Sequence, residues 1–168
     1  ALTGSLATDL GNTVLFGALF NGARLVIAAP DDMQDGDHFA RFMSAADIDA
    51  LKIVPSHLEA LLECEAPRLP KTLILGGEAT SSALLSSIAR ISPECQLYNH
   101  YGPTEATVGV MVHPVSLAQD IAGPLPLTQL LPNCRYRVLD DNLHATPTGA
   151  VGELYLGGAQ LARGYLNS

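Results

Sequence analysis

From Asn12 to His100, apolar runs with helical spacing alternate with apolar runs of strand length, and Pro, Gly or a polar cluster separates each from the next. Strands that follow one another through helices pair in parallel, so this alternation predicts an α/β sheet built from βαβ crossover units. Val14, Leu15, Ala18 and Leu19 suit one helix face between Asn12 and Phe20, and Asn21-Gly22 supplies a left-handed stop. Leu25 to Ala29 reads as a strand, Asp37 to Ala46 as a helix and Ala50 to Val54 as a second strand. Ser56 and Glu59 have the spacing of a capping box that opens a helix through Leu62. Thr72 to Leu75 is a β-rich run ending in Gly76-Gly77, Ala83 to Ile91 is helical, and Gln96 to His100 is the next strand. The loop Tyr101 to Glu105 then leaves the carboxyl end of that strand, where α/β sheets bind ligands.

After about His113 the character changes. Pro114, Pro124, Pro126 and Pro132 interrupt the chain, and the strands expected at Arg135 to Leu139 and Glu153 to Leu156 have no helix between them. The expected organisation is an α/β subdomain over residues 1–113 followed by the start of a mostly β subdomain over residues 114–168.

Composition narrows the partners. The chain is 48% hydrophobic with no apolar run long enough to span a bilayer, which fits a soluble domain and no membrane partner. A formal charge of -8, with nine Lys and Arg, weighs against nucleic acid or an anionic surface. Cys64, Cys95 and Cys134 are too widely spaced for a zinc site or a disulfide framework, with a reducing cytoplasm as the simplest home, and Cys64 and Cys95 read as small core residues. The sequence opens on Ala-Leu-Thr without a basic and apolar leader, so it reads as an internal piece with no signal peptide. His38, His113 and His144 are scattered and read as surface or structural, and His57 and Glu59 as first-turn helix residues.

The loop at the end of the Gln96 strand carries the chemistry. Within Asn99 to Glu105 lie an amide, an aromatic ring, a hydroxyl and a carboxylate. Such a set suits a nucleotide and its metal: Tyr101 to stack on a base, Asn99 to bond its edge, Thr104 to meet a phosphate oxygen and Glu105 to ligate Mg²⁺. The same residues also make an ordinary Gly-Pro turn with a capping Thr, and residue chemistry alone does not choose between the two.

Asn99-His100-Tyr101-Gly102-Pro103-Thr104-Glu105 resembles the Asn-x-Tyr-Gly-Pro-Thr-Glu motif of adenylation domains in the adenylate-forming superfamily. Gly152-Glu153-Leu154-Tyr155-Leu156-Gly157-Gly158 with Leu161-Ala162-Arg163-Gly164-Tyr165-Leu166 is similar to the motif that follows it. Leu75-Gly76-Gly77-Glu78-Ala79 matches the adenine-side loop, and Asp9 matches the aspartate that binds the substrate amine. The chain is thereby identified as an internal part of an adenylation domain of a nonribosomal peptide synthetase. The resemblance implies ATP and Mg²⁺ as cofactors, formation of an aminoacyl adenylate, and transfer to a phosphopantetheine thiol on a peptidyl carrier domain, with a condensation domain as neighbour. By motif, Gly77, Glu78, Ala79, Asn99, His100, Tyr101, Gly102 and Thr104 would contact the nucleotide, Thr104 and Glu105 would serve catalysis, and Glu105 would hold Mg²⁺. Glu153 and Arg163 read as architectural.

Aligned with the same family, the amino-acid pocket falls on Asp9, Leu10, Thr13, Lys52, Ile74, Gly76, His100, Val108 and Gly109. Asp9 would pair with the substrate ammonium, or merely cap the helix that follows it. Lys52 lies between Leu51 and Ile53 in an expected strand, where a buried ammonium needs an anion unless the position is a solvated strand end. The set resembles pockets that activate L-aspartate, with hydroxyaspartate and asparagine as competitors. Thr8 departs from the aromatic residue often found before the substrate aspartate. The phosphate loop is expected before Ala1, and the ribose-binding aspartate, hinge and catalytic lysine beyond Ser168, so this stretch alone is not expected to catalyse adenylation. A stand-alone acid:thiol ligase, which needs no ammonium partner, and a non-catalytic binding relative are the competing classes.

Overall fold

The computed structural model describes residues 1–118 and 123–166. Strands β1 (Ala50–Ile53), β2 (Thr72–Gly76) and β3 (Gln96–Tyr101) run parallel, joined by helices α3 (Pro55–Leu61) and α4 (Ser82–Ile91), so the expected crossover units are present. Helix α1 (Asn12–Phe20) and helix α2 (Gly36–Ala45) precede them. The sheet then continues with two antiparallel strands, β4 (Met111–Val115) and β5 (Gln129–Leu130), in the order β1-β2-β3-β4-β5. Strands β6 (Cys134–Leu139) and β7 (Glu153–Gly158) form a separate antiparallel pair. The boundary expected at residue 113 falls within β4, and the change of sheet lies between Leu130 and Cys134. Residues 119–122 and 167–168 of the expected second subdomain lie outside the described residues.

Successive residues of a strand point to opposite faces, and here each face has its own task. Leu51, Ile53, Leu73, Leu75 and Leu97 project to one side, where Phe39, Phe42 and Met43 of α2, Leu58 and Leu61 of α3, and Leu84, Leu85 and Ile88 of α4 close the core. Leu73 is fully buried at its centre, so truncating it to Ala costs about 2–5 kcal/mol. Local signals agree with this packing. Asp35 accepts the His38 N–H at 2.9 Å and Ser81 the Leu84 N–H at 3.0 Å, so both amphipathic helices are capped. Gly22, at φ 63°, closes α1 in the left-handed region.

Two local expectations fail. The strand expected over Leu25 to Ala29 is reduced to a single parallel bridge between Leu2 and Ile27. The capping box at Ser56 is absent because Pro55 occupies the first turn of α3 and Val54 takes the cap position. Ser56 and Glu59 instead tie α3 to the loop after β2, the Ser56 N–H donating to Glu78 and the Ser81 hydroxyl to Glu59, both at 3.4 Å. Cys95 is a core residue, Cys134 lies in a second apolar cluster with Ala106, Val110 and Met111, and Cys64 is half-buried. No helix among the described residues is long and apolar enough to cross a membrane.

Candidate functional site

The face of the sheet away from the core carries the even-numbered residues. Lys52 stands in register with Ile74 and Ile74 with Tyr98, while Gly76 stands in register with His100. Leu51, Ile53, Leu73, Leu75 and Leu97 take the odd positions within the sheet, so the alternation places Lys52, Gly76 and His100 together on the other side, while Asn99 and Tyr101 follow at the strand end. Lys52 is 4% exposed and is the buried charged residue of the described chain. Its Nζ donates to Thr13 Oγ1 of α1 at 2.8 Å. Burial lowers its pKa to about 8, and the nearby Asp9 carboxylate opposes that shift. Lys52 is therefore no solvated strand end.

Asp9 opens a short 3-10 turn, Asp9–Gly11, directly before α1. The helix cap is Gly11, and no side chain caps it. Asp9 is thus left to face Lys52 electrostatically rather than to close the helix.

His100 sits next to this pair. Burial, followed by the charge on Lys52, lowers its pKa to about 4, so the ring is neutral near pH 7. Its Nδ1 is buried without a hydrogen-bond partner. Two glycines make room for it: a Cβ at Gly109 would overlap the imidazole, and one at Gly76 would lie 2.7 Å from the His100 carbonyl oxygen. The polar floor made by Lys52 and His100 thus depends on the absence of side chains at 76 and 109.

At the carboxyl ends of β2 and β3 a cleft of about 460 Å³ opens. The loop Gly77 to Thr80 lines one side, Asn99 to Pro103 the floor, and Pro124, Leu125 and Leu127 the far side. Tyr101 presents a ring that is 36% exposed. Gly77, at φ 93°, turns the chain sharply as it leaves β2. The Thr80 hydroxyl is buried without a partner.

Beyond the cleft the chain folds back tightly. Thr104–Ala106 is a single 3-10 turn, Thr107 and Val108 both take left-handed backbone at φ 53° and 71°, and the Val110 N–H returns to the Tyr101 carbonyl at 2.7 Å. Left-handed β-branched residues are strained, at about 1–3 kcal/mol each. The segment after β7 secures them. Thr107 Oγ1 donates to the Gln160 carbonyl at 2.5 Å, the Ala162 N–H to the Glu105 carbonyl at 2.7 Å, and the Tyr165 hydroxyl to Glu105 Oε1 at 3.1 Å.

The family model described as AMP-binding enzyme matches residues 1–166. The chain belongs to this AMP-binding enzyme family. Among AMP-binding relatives it is 36% identical over 167 residues to malpinin synthetase of Mortierella alpina, a match covering 97% of this chain and 2% of that protein. It is 33% identical over 170 residues to bacitracin synthase 3 of Bacillus licheniformis, covering 99% and 3% respectively. A dimodular nonribosomal peptide synthase of Bacillus subtilis is 33% identical over 164 residues, with 97% of this chain and 7% of that protein covered. The chain therefore spans a small part of these relatives. Among solved structures it resembles FmoA3, a nonribosomal peptide synthetase, with 26% identity and a TM-score of 0.86 over 98% of this chain and 18% of that one. The fold is also that of holo-PA1221, described as containing adenylation and PCP domains, with 23% identity and a TM-score of 0.88 over 99% and 29% of the two chains. The mixed α/β architecture with a mainly parallel sheet is shared with these structures.

Within the AMP-binding frame, the residues singled out from sequence fall into three groups. Gly77, Glu78, Ala79, Asn99, His100, Tyr101 and Gly102 line the cleft. Asp9, Thr13, Lys52, Gly76, His100 and Gly109 are linked through Lys52 and His100, as described. Thr104 and Glu105 are placed just past the cleft, and Leu10 and Val108 are half-buried beside the second group in sequence. Thr13 and Ile74 also border a separate, mostly apolar cavity of about 300 Å³ between α1 and β1. Sequence reasoning missed Thr80, Pro124, Leu125 and Leu127 in the cleft lining. Tyr165 lay inside a recognised motif, yet its bond to Glu105 spans 60 residues and left no local signal.

Proposed function

We propose that this chain is the amino-acid- and adenine-binding part of an adenylation domain of a nonribosomal peptide synthetase, and that the side-chain pocket is built for L-aspartate. One observation carries the reading: the buried, incompletely compensated Lys52 stands on the sheet face opposite the core, with Asp9 of the turn before α1 near enough to act on its charge, and the strands of that sheet end at the cleft around Tyr101. An α-amino acid with an anionic side chain complements both charges, its ammonium meeting Asp9 and its side-chain carboxylate Lys52. Asp9 offsets the burial of Lys52 only in part, and an undercompensated buried cation is costly, so the substrate would supply a further anion. The neutral His100 can add a hydrogen bond without adding charge. A stand-alone acid:thiol ligase has no use for an ammonium partner, which leaves Asp9 unexplained in that class.

In the overall reaction, an oxygen of the amino-acid carboxylate attacks the α-phosphorus of ATP and pyrophosphate leaves; the phosphopantetheine thiol of a peptidyl carrier domain, with a condensation domain beside it, then attacks the aminoacyl carbonyl, forming the thioester and releasing AMP. Tyr101 would stack on the adenine ring, Asn99 and Gly77 to Ala79 would frame its edge, and Thr104 would contact the α-phosphate. Mg²⁺ fits a site of this kind. No cluster of three or more His, Cys, Asp or Glu exists among the described residues, so the ion would rest on Glu105 and on phosphate oxygens, its usual mode of binding. When bound, it neutralises charge that otherwise repels the incoming carboxylate.

The test is amino-acid-dependent exchange between ATP and pyrophosphate in the full-length protein, comparing aspartate, asparagine, glutamate and leucine, with Lys52→Ala alongside. Exchange led by aspartate and lost in the variant is expected. Exchange led by asparagine or leucine would retain the enzyme class and remove aspartate, and no exchange with any acid would favour a non-catalytic relative.

A further inference from the structure

Glu105 is the carboxylate that the proposed function gives to the cation, and it stands on a turn of three residues that follows the cleft-lining segment Asn99 to Pro103. A lone exposed carboxylate on a short turn has many rotamers, and ordering it costs side-chain entropy. The structure supplies a restraint from 60 residues away: the Tyr165 hydroxyl donates to Glu105 Oε1 at 3.1 Å. The two backbones are joined as well, because the Ala162 N–H donates to the Glu105 carbonyl at 2.7 Å and the Gln160 carbonyl accepts from Thr107 Oγ1 at 2.5 Å. The phenol therefore reaches Glu105 from a strap that is itself fastened to the Glu105 backbone and to Thr107 two residues on.

We propose that Tyr165 is a positioning residue for Glu105, holding one carboxylate oxygen so that the group is preset for the divalent cation accompanying the nucleotide; this rests on the reading of Glu105 as the cation's ligand. A hydroxyl is suited to the task. It donates to one oxygen without cancelling the charge, as a Lys or Arg would, so the carboxylate keeps its attraction for the ion. Tyrosine also has few torsions to freeze, which makes it an inexpensive spacer between the strap and the turn.

The test measures binding of Mn²⁺ by its paramagnetic resonance signal in the full-length protein, in the presence of α,β-methylene-ATP, so that no turnover is needed. Glu105→Gln, Tyr165→Phe and the double variant are compared with wild type, and nucleotide affinity without metal is measured for each. Glu105→Gln is expected to weaken Mn²⁺ binding by tenfold or more, and Tyr165→Phe by about tenfold, with metal-free nucleotide affinity unchanged. The double variant is expected to match Glu105→Gln, since a positioning residue has nothing left to position. An effect of Tyr165→Phe that persists in the Glu105→Gln background, or that extends to metal-free nucleotide binding, shows a role in the fold and overturns the inference. Loss of Mn²⁺ binding in Glu105→Gln with none in Tyr165→Phe overturns the inference alone. No effect of Glu105→Gln removes the metal role of Glu105 and the inference with it.

Discussion

Lys52 Nζ and Thr13 Oγ1 are 2.8 Å apart, joining the edge strand of the sheet to the helix that covers its polar face. A hydroxyl satisfies one of three ammonium donors and none of its charge. The pairing is thus enough to fix the direction of the lysine and too little to compensate its burial, as the proposed role in binding an anionic side chain requires.

Replacing Lys52 by Met separates these two roles. The variant keeps the apolar stem and removes the buried charge, so the melting temperature of the full-length protein is expected to stay level or rise, while the proposed preference for aspartate over leucine disappears. Thermal melts and exchange assays on the same preparation decide it; a clear drop in melting temperature would mark Lys52 as structural.

The pH dependence follows from the same residue. With a pKa lowered from 10.5 to about 8, Lys52 is charged below that pH and neutral above it. Apparent affinity for aspartate is expected to fall as pH rises through 8, by up to about tenfold per unit, while leucine shows no such loss. KM values measured from about pH 6.5 to about pH 9.5 test this, and a step near pH 6.5 instead would point to another group.

His100 supplies an acid limit. Its pKa is about 4 in the folded protein against 6.5 unfolded, so the unfolded chain takes up the proton first. The stability contributed by the neutral ring is fully present above pH 6.5 and is lost as pH falls toward 4. Melting temperatures of wild type and His100→Leu are expected to diverge across that window, with the variant less acid-sensitive; parallel curves would refute the assignment.

Gly109 and His100 are expected to behave as one unit. Gly109→Ala puts a methyl into the imidazole and should destabilise by about 1–3 kcal/mol, whereas the same change in a His100→Ala background should cost little. A double-mutant cycle of denaturant melts measures the coupling, and additive effects would show that the ring simply moves aside.

Much of this arrangement is legible in the sequence because it follows from alternation. Leu51, Ile53, Leu73, Leu75 and Leu97 announce the buried face, and the interleaved Lys52, Ile74, Gly76 and His100 must then share the other. The later strands are harder to read. Pro114 argues against a strand, yet it is tolerated in β4 because β5 pairs only with Met111 and Val112 and leaves that part of the edge open. β5 itself, Gln129–Leu130, is too short to carry a periodic signal. The expected strand at Leu25 to Ala29 had the right composition, but its pairing is limited to one bridge with Leu2. In the cleft, Gly77 to Ala79 and Asn99 to Gly102 sit on strand ends that the pattern locates, whereas Pro124 to Leu127 arrive through a loop whose course depends on tertiary packing.

The left-handed backbone at Val108 bears on how the proposed amino-acid pocket would change its preference over generations. With φ at 71°, this position accepts Gly or Asn more readily than another branched residue, whatever the ligand would favour. Variation there is sieved by the backbone before selection on any ligand can act, so under the proposed pocket new specificities would have fewer routes through residue 108 than through the extended positions 52, 74 and 100.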